Sequence, residues 1–126
     1  MTPDEVAARL VAALARATPT SSDYDLNPAV APPRGRRLHP AAVLVGVAVT
    51  GGVPRVVLTK RASHLAHHPG QIAFPGGKVD AGDAGPEEAA LREAREEIGL
   101  PGAGVQVLGR LPTHETVTGY DMVPVV

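Results

Sequence analysis

The chain has no cysteine and no tryptophan, one phenylalanine and two tyrosines. Without cysteine there is no disulfide, no thiolate nucleophile and no thiolate metal site, and a reducing compartment is allowed. With so few rings the core must be aliphatic. Neither sign of charge dominates: 12 Lys and Arg stand against 13 Asp and Glu, and the net charge is −1. There is no general attraction to polyanions, so neither nucleic acid nor membrane is an expected partner. The basic run Arg34-Gly-Arg-Arg37 lies in a proline-rich stretch and reads as a solvated linker. No apolar run approaches the roughly 18 residues that would cross a bilayer. Asp4, Glu5, Arg9 and Arg16 interrupt the first 17 residues, which excludes a signal peptide. The final Val-Pro-Val-Val is no peroxisomal address. The cytoplasm is the expected location.

What is present is enough for one small domain: 126 residues, 44% of them hydrophobic, without internal repeats. Thr2-Pro-Asp-Glu5 is a capping box with proline at the first helical position. Val6, Leu10, Val11 and Leu14 follow at helical spacing, which predicts a helix over residues 3–16. Residues 18–40, with Pro19, Pro28, Pro32, Pro33 and Pro40 among Ser, Asp and Asn, predict a long extended loop. Ala41–Thr50 is a valine-rich run that predicts a central strand buried on both faces. Gly51-Gly52 turns the chain, and Arg55–Lys60 is its expected hairpin partner. Residues 62–75 look irregular. A helix over 86–98 and strands over 105–111 and 122–126 complete an α/β pattern. Residues 1–40 thus form an N-terminal helix and extended loop, and residues 41–126 the main domain.

The helix PEEAALREAREEIGL (86–100) carries the chemistry. Pro86 suits its first turn, Glu87 and Glu88 favour the positive end of its dipole, and Gly99 and Pro101 end it. Ala90, Leu91, Ala94 and Ile98 share a stripe of about 100° that faces the core. Glu93, Glu96 and Glu97 occupy the adjoining arc, and spacings of three and four bring their carboxylates together. Glu97 lies nearest the stripe and is expected to be the least hydrated. Each like-charge pair costs about 0.2–0.5 kcal/mol, a repulsion that a divalent cation converts to ligation. Oxygen ligands without His or Cys suit Mg²⁺ or Mn²⁺. The alternative is a solvated face, stabilised by the i,i+4 pairs Glu88–Arg92 and Arg92–Glu96.

The segment before the helix, Gly70-Gln-Ile-Ala-Phe-Pro-Gly-Gly-Lys-Val-Asp80, favours a site. Gly76 and Gly77 supply backbone without Cβ, able to come close to a phosphate or an ion. Phe74 is expected to anchor this loop by packing. Lys78 is followed by no Ser or Thr, so this is not a P-loop. His64, His67 and His68 make no zinc set, since Pro69 breaks the segment and no cysteine joins them.

Gly77 to Leu100 resembles the Nudix box, most closely in Arg92-Glu93-Ala-Arg-Glu96-Glu97-Ile-Gly99-Leu100. Asp83 stands where that family usually has Glu, and the interval from Asp83 to Arg92 is one residue longer than usual. Val57-Leu-Thr-Lys-Arg61-Ala62, Gly70 and Phe74-Pro-Gly-Gly77 are similar to the added signature of the coenzyme A diphosphatases within it; a basic position of that signature falls on Ala66. The resemblance implies an α/β/α sandwich with a mixed sheet. It also implies that the domain continues past Val126, as chains of this branch do. The activity it implies is hydrolysis of coenzyme A to 3′,5′-ADP and 4′-phosphopantetheine. Glu93, Glu96, Glu97 and the Gly77 carbonyl would hold Mg²⁺ or Mn²⁺, and Arg92 would orient a carboxylate. Arg61, Gly70, Phe74, Gly76, Gly77 and Lys78 would lie along the substrate. Glu115 is a candidate for the base, and a homodimer is left open. The alternatives are another nucleoside diphosphate derivative as substrate, or a shortened, silent domain that binds a nucleotide or a partner.

Overall fold

A computed structural model describes residues 1–16, 18–60 and 70–126. Helix α1 (Pro3–Leu14) starts at the expected capping box: Glu5 N donates to Thr2 Oγ1 at 3.1 Å, and Thr2 N to Glu5 Oε2 at 3.4 Å. Strand β1 (Ser21–Ser22) and a short 3₁₀ turn (Asp23–Leu26) follow, within what the sequence predicts as featureless loop. They exist because β1 pairs in parallel with β8 (His114–Glu115), more than ninety residues away. No local pattern announces that pairing.

The expected strand over 41–50 is two strands. β2 (His39–Leu44) belongs to the main sheet, and β3 (Val47–Thr50) pairs with β4 (Val53–Val56) in a separate hairpin. The switch falls at Val45-Gly46: Val45 N still donates to Val125 O, whereas Gly46 O accepts from Val57 N. The hairpin closes on Gly51 and Gly52, both at positive φ (57° and 77°), as a two-residue turn between twisted strands requires. β5 (Thr59–Lys60) pairs with β6 (Ile72–Ala73).

The main sheet is mixed, with strand order β1-β8-β9-β2-β7, where β7 is Gly76–Lys78 and β9 is Tyr120–Val125. β9 is the middle strand, parallel to β2 and antiparallel to β8. Helix α2 (Pro86–Ile98) covers one face of it. Ala42, Leu44 and Val125 close on Ala89, Ala90 and Ala94, all buried, with Val79, Leu91, Leu100 and Val123 at the margin. Alternation along the strands sends Ala41, Lys78 and Tyr120 to the opposite face.

Residues 105–111 do not form the expected strand. They run beside β9, where Leu108 N donates to Val126 O and Leu111 N to Pro124 O, but only Arg110 and Val125 form a bridge. Pro124 accepts on that side and has no N–H to return, so the ladder is broken there. Among the described residues no helix is long and apolar enough to cross a membrane.

Candidate functional site

Arg92 is the centre of the site. Its Nε and Nη2 each donate to Asp83 at 3.0 Å, a two-point pair. Nη1 donates to Glu93 Oε1 at 3.1 Å and Glu96 Oε2 at 3.2 Å. Nη2 also reaches the Lys78 carbonyl at 3.2 Å and the Asp80 carboxylate at 3.2 Å. One guanidinium therefore binds the loop before α2 to two carboxylates on α2, using the fork geometry that lysine lacks.

The loop is built to receive it. Asp80 N donates to Asp83 Oδ2 at 2.8 Å, and Asp83 N to Asp80 O at 3.0 Å. Asp83 ends up 3% exposed in its side chain. The hydrogen bonds from Arg92, then the one from the Asp80 amide, hold its carboxyl below the ordinary carboxylate value. The same bonds push the Arg92 guanidinium up, so it stays charged. Asp83 thus holds Arg92 from the loop side. Asp80 was not singled out by sequence, since nothing in its spacing distinguishes it from a turn residue.

The two glycines of β7 have different reasons. A Cβ on Gly76 would stand 2.4 Å from Ala42 O, inside the β2 pairing. A Cβ on Gly77 would stand 2.7 Å from Glu93 Oε1. Neither needs a special backbone conformation; both need the space. Glu93 therefore lies against bare main chain.

The helix is rotated slightly from its expected setting. Glu93, not Glu97, is the most enclosed of the three glutamates: Glu93 is 19% and Glu96 56% exposed, and Glu97 is exposed. Three alanines, 89, 90 and 94, make the buried contact, and Ile98 is 37% exposed. Glu93 follows Ala89 by four and Ala90 by three, so it rides at the edge of that contact. The small alanines, and not the larger Ile98, seat the helix. Gly99 ends the helix at φ 67°, as expected.

Of the remaining expected residues, Gly70 turns at φ 71°. Phe74 is 40% exposed and is not the packing anchor; Pro75 beside it is fully buried and takes that part. Lys78 is exposed, with its ammonium 5.9 Å from the Tyr120 ring centroid. Arg61 lies outside the described residues. Glu115 sits on β8, accepts from Ser22 Oγ at 2.8 Å and pairs with Arg36 at 3.4 Å, apart from the Arg92 network.

The donor chemistry of Glu93 and Glu96, all carboxylate oxygen beside the exposed main chain of Gly77, fits a hard divalent cation. Among the described residues no three acidic or histidine side chains converge as a ready-made metal set. Arg92 Nη1 instead holds two carboxylates, those of Glu93 and Glu96.

A NUDIX domain model matches residues 38–125. The chain belongs to the Nudix family. It is 52% identical over 86 residues to the Uncharacterized Nudix hydrolase NudL of Enterobacter sp. (strain 638) and 51% identical to that of Escherichia coli (strain K12 / DH10B), in each case over 68% of this chain and 44% of the relative. It thus spans less than half the length of these curated relatives. A crystal structure of a Nudix hydrolase from M. Smegmatis, RenU, superposes with a TM-score of 0.56 at 33% identity, over 69% of this chain and 58% of that one. Nudix hydrolases generally require divalent metal ions and act on small molecules.

Proposed function

We propose that this chain carries the catalytic Nudix unit, residues 41–126, of a Mg²⁺- or Mn²⁺-dependent hydrolase that cleaves the diphosphate of coenzyme A. The observation that supports the reading is the Arg92 network, which brings Glu93 and Glu96 to the bare backbone of Gly77. The similarity of Val57–Gly77 to the coenzyme A diphosphatase signature narrows the substrate. The products are 3′,5′-ADP and 4′-phosphopantetheine.

Glu93 and Glu96, with Glu97 on the same helix and the Gly77 carbonyl, would hold the ion. A bound ion neutralises phosphate oxygens and lowers the pKa of water. The chain's own residues set the geometry. Asp83 fixes Arg92, and Arg92 fixes the two glutamates. Pro75 and Gly76 lock β7 against β2, so the acids meet a rigid edge. Lys78 offers a positive charge beside that edge for a phosphate of the substrate.

Product analysis with coenzyme A, with and without Mg²⁺, tests the proposal. Release of both products only with the ion is the expected result. Turnover of a nucleotide sugar or a dinucleoside polyphosphate, with no 3′,5′-ADP from coenzyme A, would replace the substrate. No hydrolysis of any member of that panel would leave a silent binding domain.

A further inference from the structure

The geometry points to a base-recognition subsite on the sheet face opposite α2, in which Tyr120 stacks the adenine of the substrate, Lys78 pairs with an adjoining phosphate and His39 borders the ring. This rests on the reading of the chain as a hydrolase of a nucleoside diphosphate derivative. Lys78 links the two sides of β7. Its carbonyl accepts from Arg92, which grips Glu93 and Glu96. Its ammonium stands 5.9 Å from the Tyr120 ring centroid. That is the outer limit of cation–π contact, so the ammonium is not committed to the ring and can turn to an anion.

The sheet register builds the floor of the subsite. His39 pairs with Tyr120, and Ala41 pairs with both Lys78 and Met122. Lys78 and Tyr120 thus face each other diagonally across the small, buried Ala41. The His39 ring lies 6.2 Å from the Tyr120 ring at an interplanar angle of 52°. His39 and Lys78 are exposed, and Tyr120 is half-buried. The acid nearest Lys78 in sequence, Asp80, is paired with Arg92, and Asp121, next to Tyr120, falls on the other face by strand alternation. A positive charge beside an aromatic ring complements a flat, electron-rich base carrying an anionic group.

The composition isolates Tyr120. The chain has three aromatic rings besides its histidines: Tyr24, Phe74 and Tyr120. Tyr24 lies under the Arg36 guanidinium, 5.6 Å from its centroid. Phe74 precedes β7, and among the described residues no cation lies over it. Tyr120 combines a ring, a neighbouring cation and a route through Lys78 to the carboxylates.

The test is aromatic proton NMR of the whole metal-free chain titrated with 5′-AMP, which requires no turnover. With two tyrosines, Y24F assigns the Tyr120 signals at once. Stacking moves the Tyr120 ring protons upfield and saturably, leaving those of Tyr24 in place. Inorganic phosphate alone produces no such upfield shift. Y120L weakens AMP binding about tenfold, within the usual worth of one base on one ring, and Y120F, which keeps the ring and the fold, binds as wild type. With Mg²⁺, Y120L raises KM for coenzyme A by a similar factor and changes kcat less. An unshifted Tyr120 ring at millimolar AMP, or equal AMP affinity in Y120L, overturns the subsite. Hydrolysis with wild-type KM in Y120L removes the subsite and leaves the proposed function. Stacking of AMP without hydrolysis of any diphosphate removes the proposed function and leaves the subsite.

Discussion

Two charged networks in this molecule look alike in kind and differ in what they hold. The first joins β7, the 80–85 loop and α2 through Arg92. The second joins the segment 21–25 to β8. There His114 lies between Ser21 Oγ, 2.7 Å from Nδ1, and Asp23 Oδ1, 2.7 Å from Nε2. Asp23 also accepts from Val117 N at 2.7 Å. A serine, a histidine and an aspartate in hydrogen-bonded sequence resemble a nucleophile and its base, but the adjoining amides are spent. Ser21 N donates to Thr113 O and Ser22 N to Asp25, so no pair of donors is left there for an oxyanion. The second network fastens one segment to another. The first gathers carboxylates of one sign against a bare backbone, an arrangement that only a positive group makes favourable. Charge left to be balanced, and not the number of hydrogen bonds, distinguishes a reactive site from a clasp.

The largest effect that separates the two should come from Glu93. E93Q keeps the shape and removes one charge, and turnover of coenzyme A should fall about 10²–10³-fold, as for other preorganised electrostatic groups. E97Q should fall by a similar factor if Glu97 holds the ion with it. Thermal unfolding should change little in E93Q, because the amide oxygen can still accept from Arg92 Nη1, and little in E97Q, because a crowded negative charge is lost. Near-normal kcat with a large loss of stability would make the first network a clasp as well.

Gly77→Ala is the next in size. The new methyl would stand 2.7 Å from Glu93 Oε1 and force that carboxylate aside. Manganese affinity, followed by the EPR signal of free Mn²⁺, should drop about 10–100-fold, the usual consequence of disturbing the support of a ligand. Gly76→Ala should act differently, because its methyl meets Ala42 O at 2.4 Å. It should lower stability by about 1–3 kcal/mol, the general cost of overpacking, and affect the metal only through the fold. Equal metal affinity in G77A and wild type would show that Glu93 does not need its place against Gly77.

Most of the first network is legible in sequence because its members lie between residues 78 and 96; Asp80 is the exception, since alone it looks like any turn residue. Helical spacing alone put Glu93 and Glu96 on one face, and Pro86 and Gly99 marked the ends of α2. Its finer setting was not legible, because three small alanines outweighed Ile98 in seating the helix. The second network joins residues more than ninety positions apart, so Ser21, Asp23 and His114 each look like loop or strand residues alone. The same limit hid the split of residues 41–50, which depends on where β9 and β4 take over as partners. The failure of 105–111 as a strand turns on Pro124, a single missing N–H that no local pattern within 105–111 could report.

The pH response offers a finer comparison, since both networks contain an aspartate with a lowered pKa. Arg92 lowers that of Asp83, and His114 lowers that of Asp23. For each, the folded value lies below the ordinary 3.8, so the stabilisation is fully present above that value. It is lost as the pH falls through the lower folded value. D83N and D23N should each flatten part of the acid limb of stability, measured by urea unfolding from about pH 5 down to about pH 2. Only D83N should also loosen Mn²⁺ binding at neutral pH, because Asp83 positions Arg92 and through it Glu93 and Glu96.

The smallest effect is that of D23N at neutral pH. Asp23 is 42% exposed in its side chain, so solvent screens its pair with His114. The loss should be no more than about 1 kcal/mol, in the range of exposed charge pairs. Hydrogen exchange should show it most clearly. The Val117 amide, which donates to Asp23, should lose protection, while the amides of α2 keep theirs. Coenzyme A turnover should change less than twofold, because among the described residues the contacts of Asp23, to His114 and Val117, stop short of the Arg92 network. A tenfold loss of turnover with α2 protection intact would mean that the segment 21–25 acts on the site, through Ser22 and Glu115. Glu115 would then be the base, and the clasp would be the part of the molecule that holds it in position.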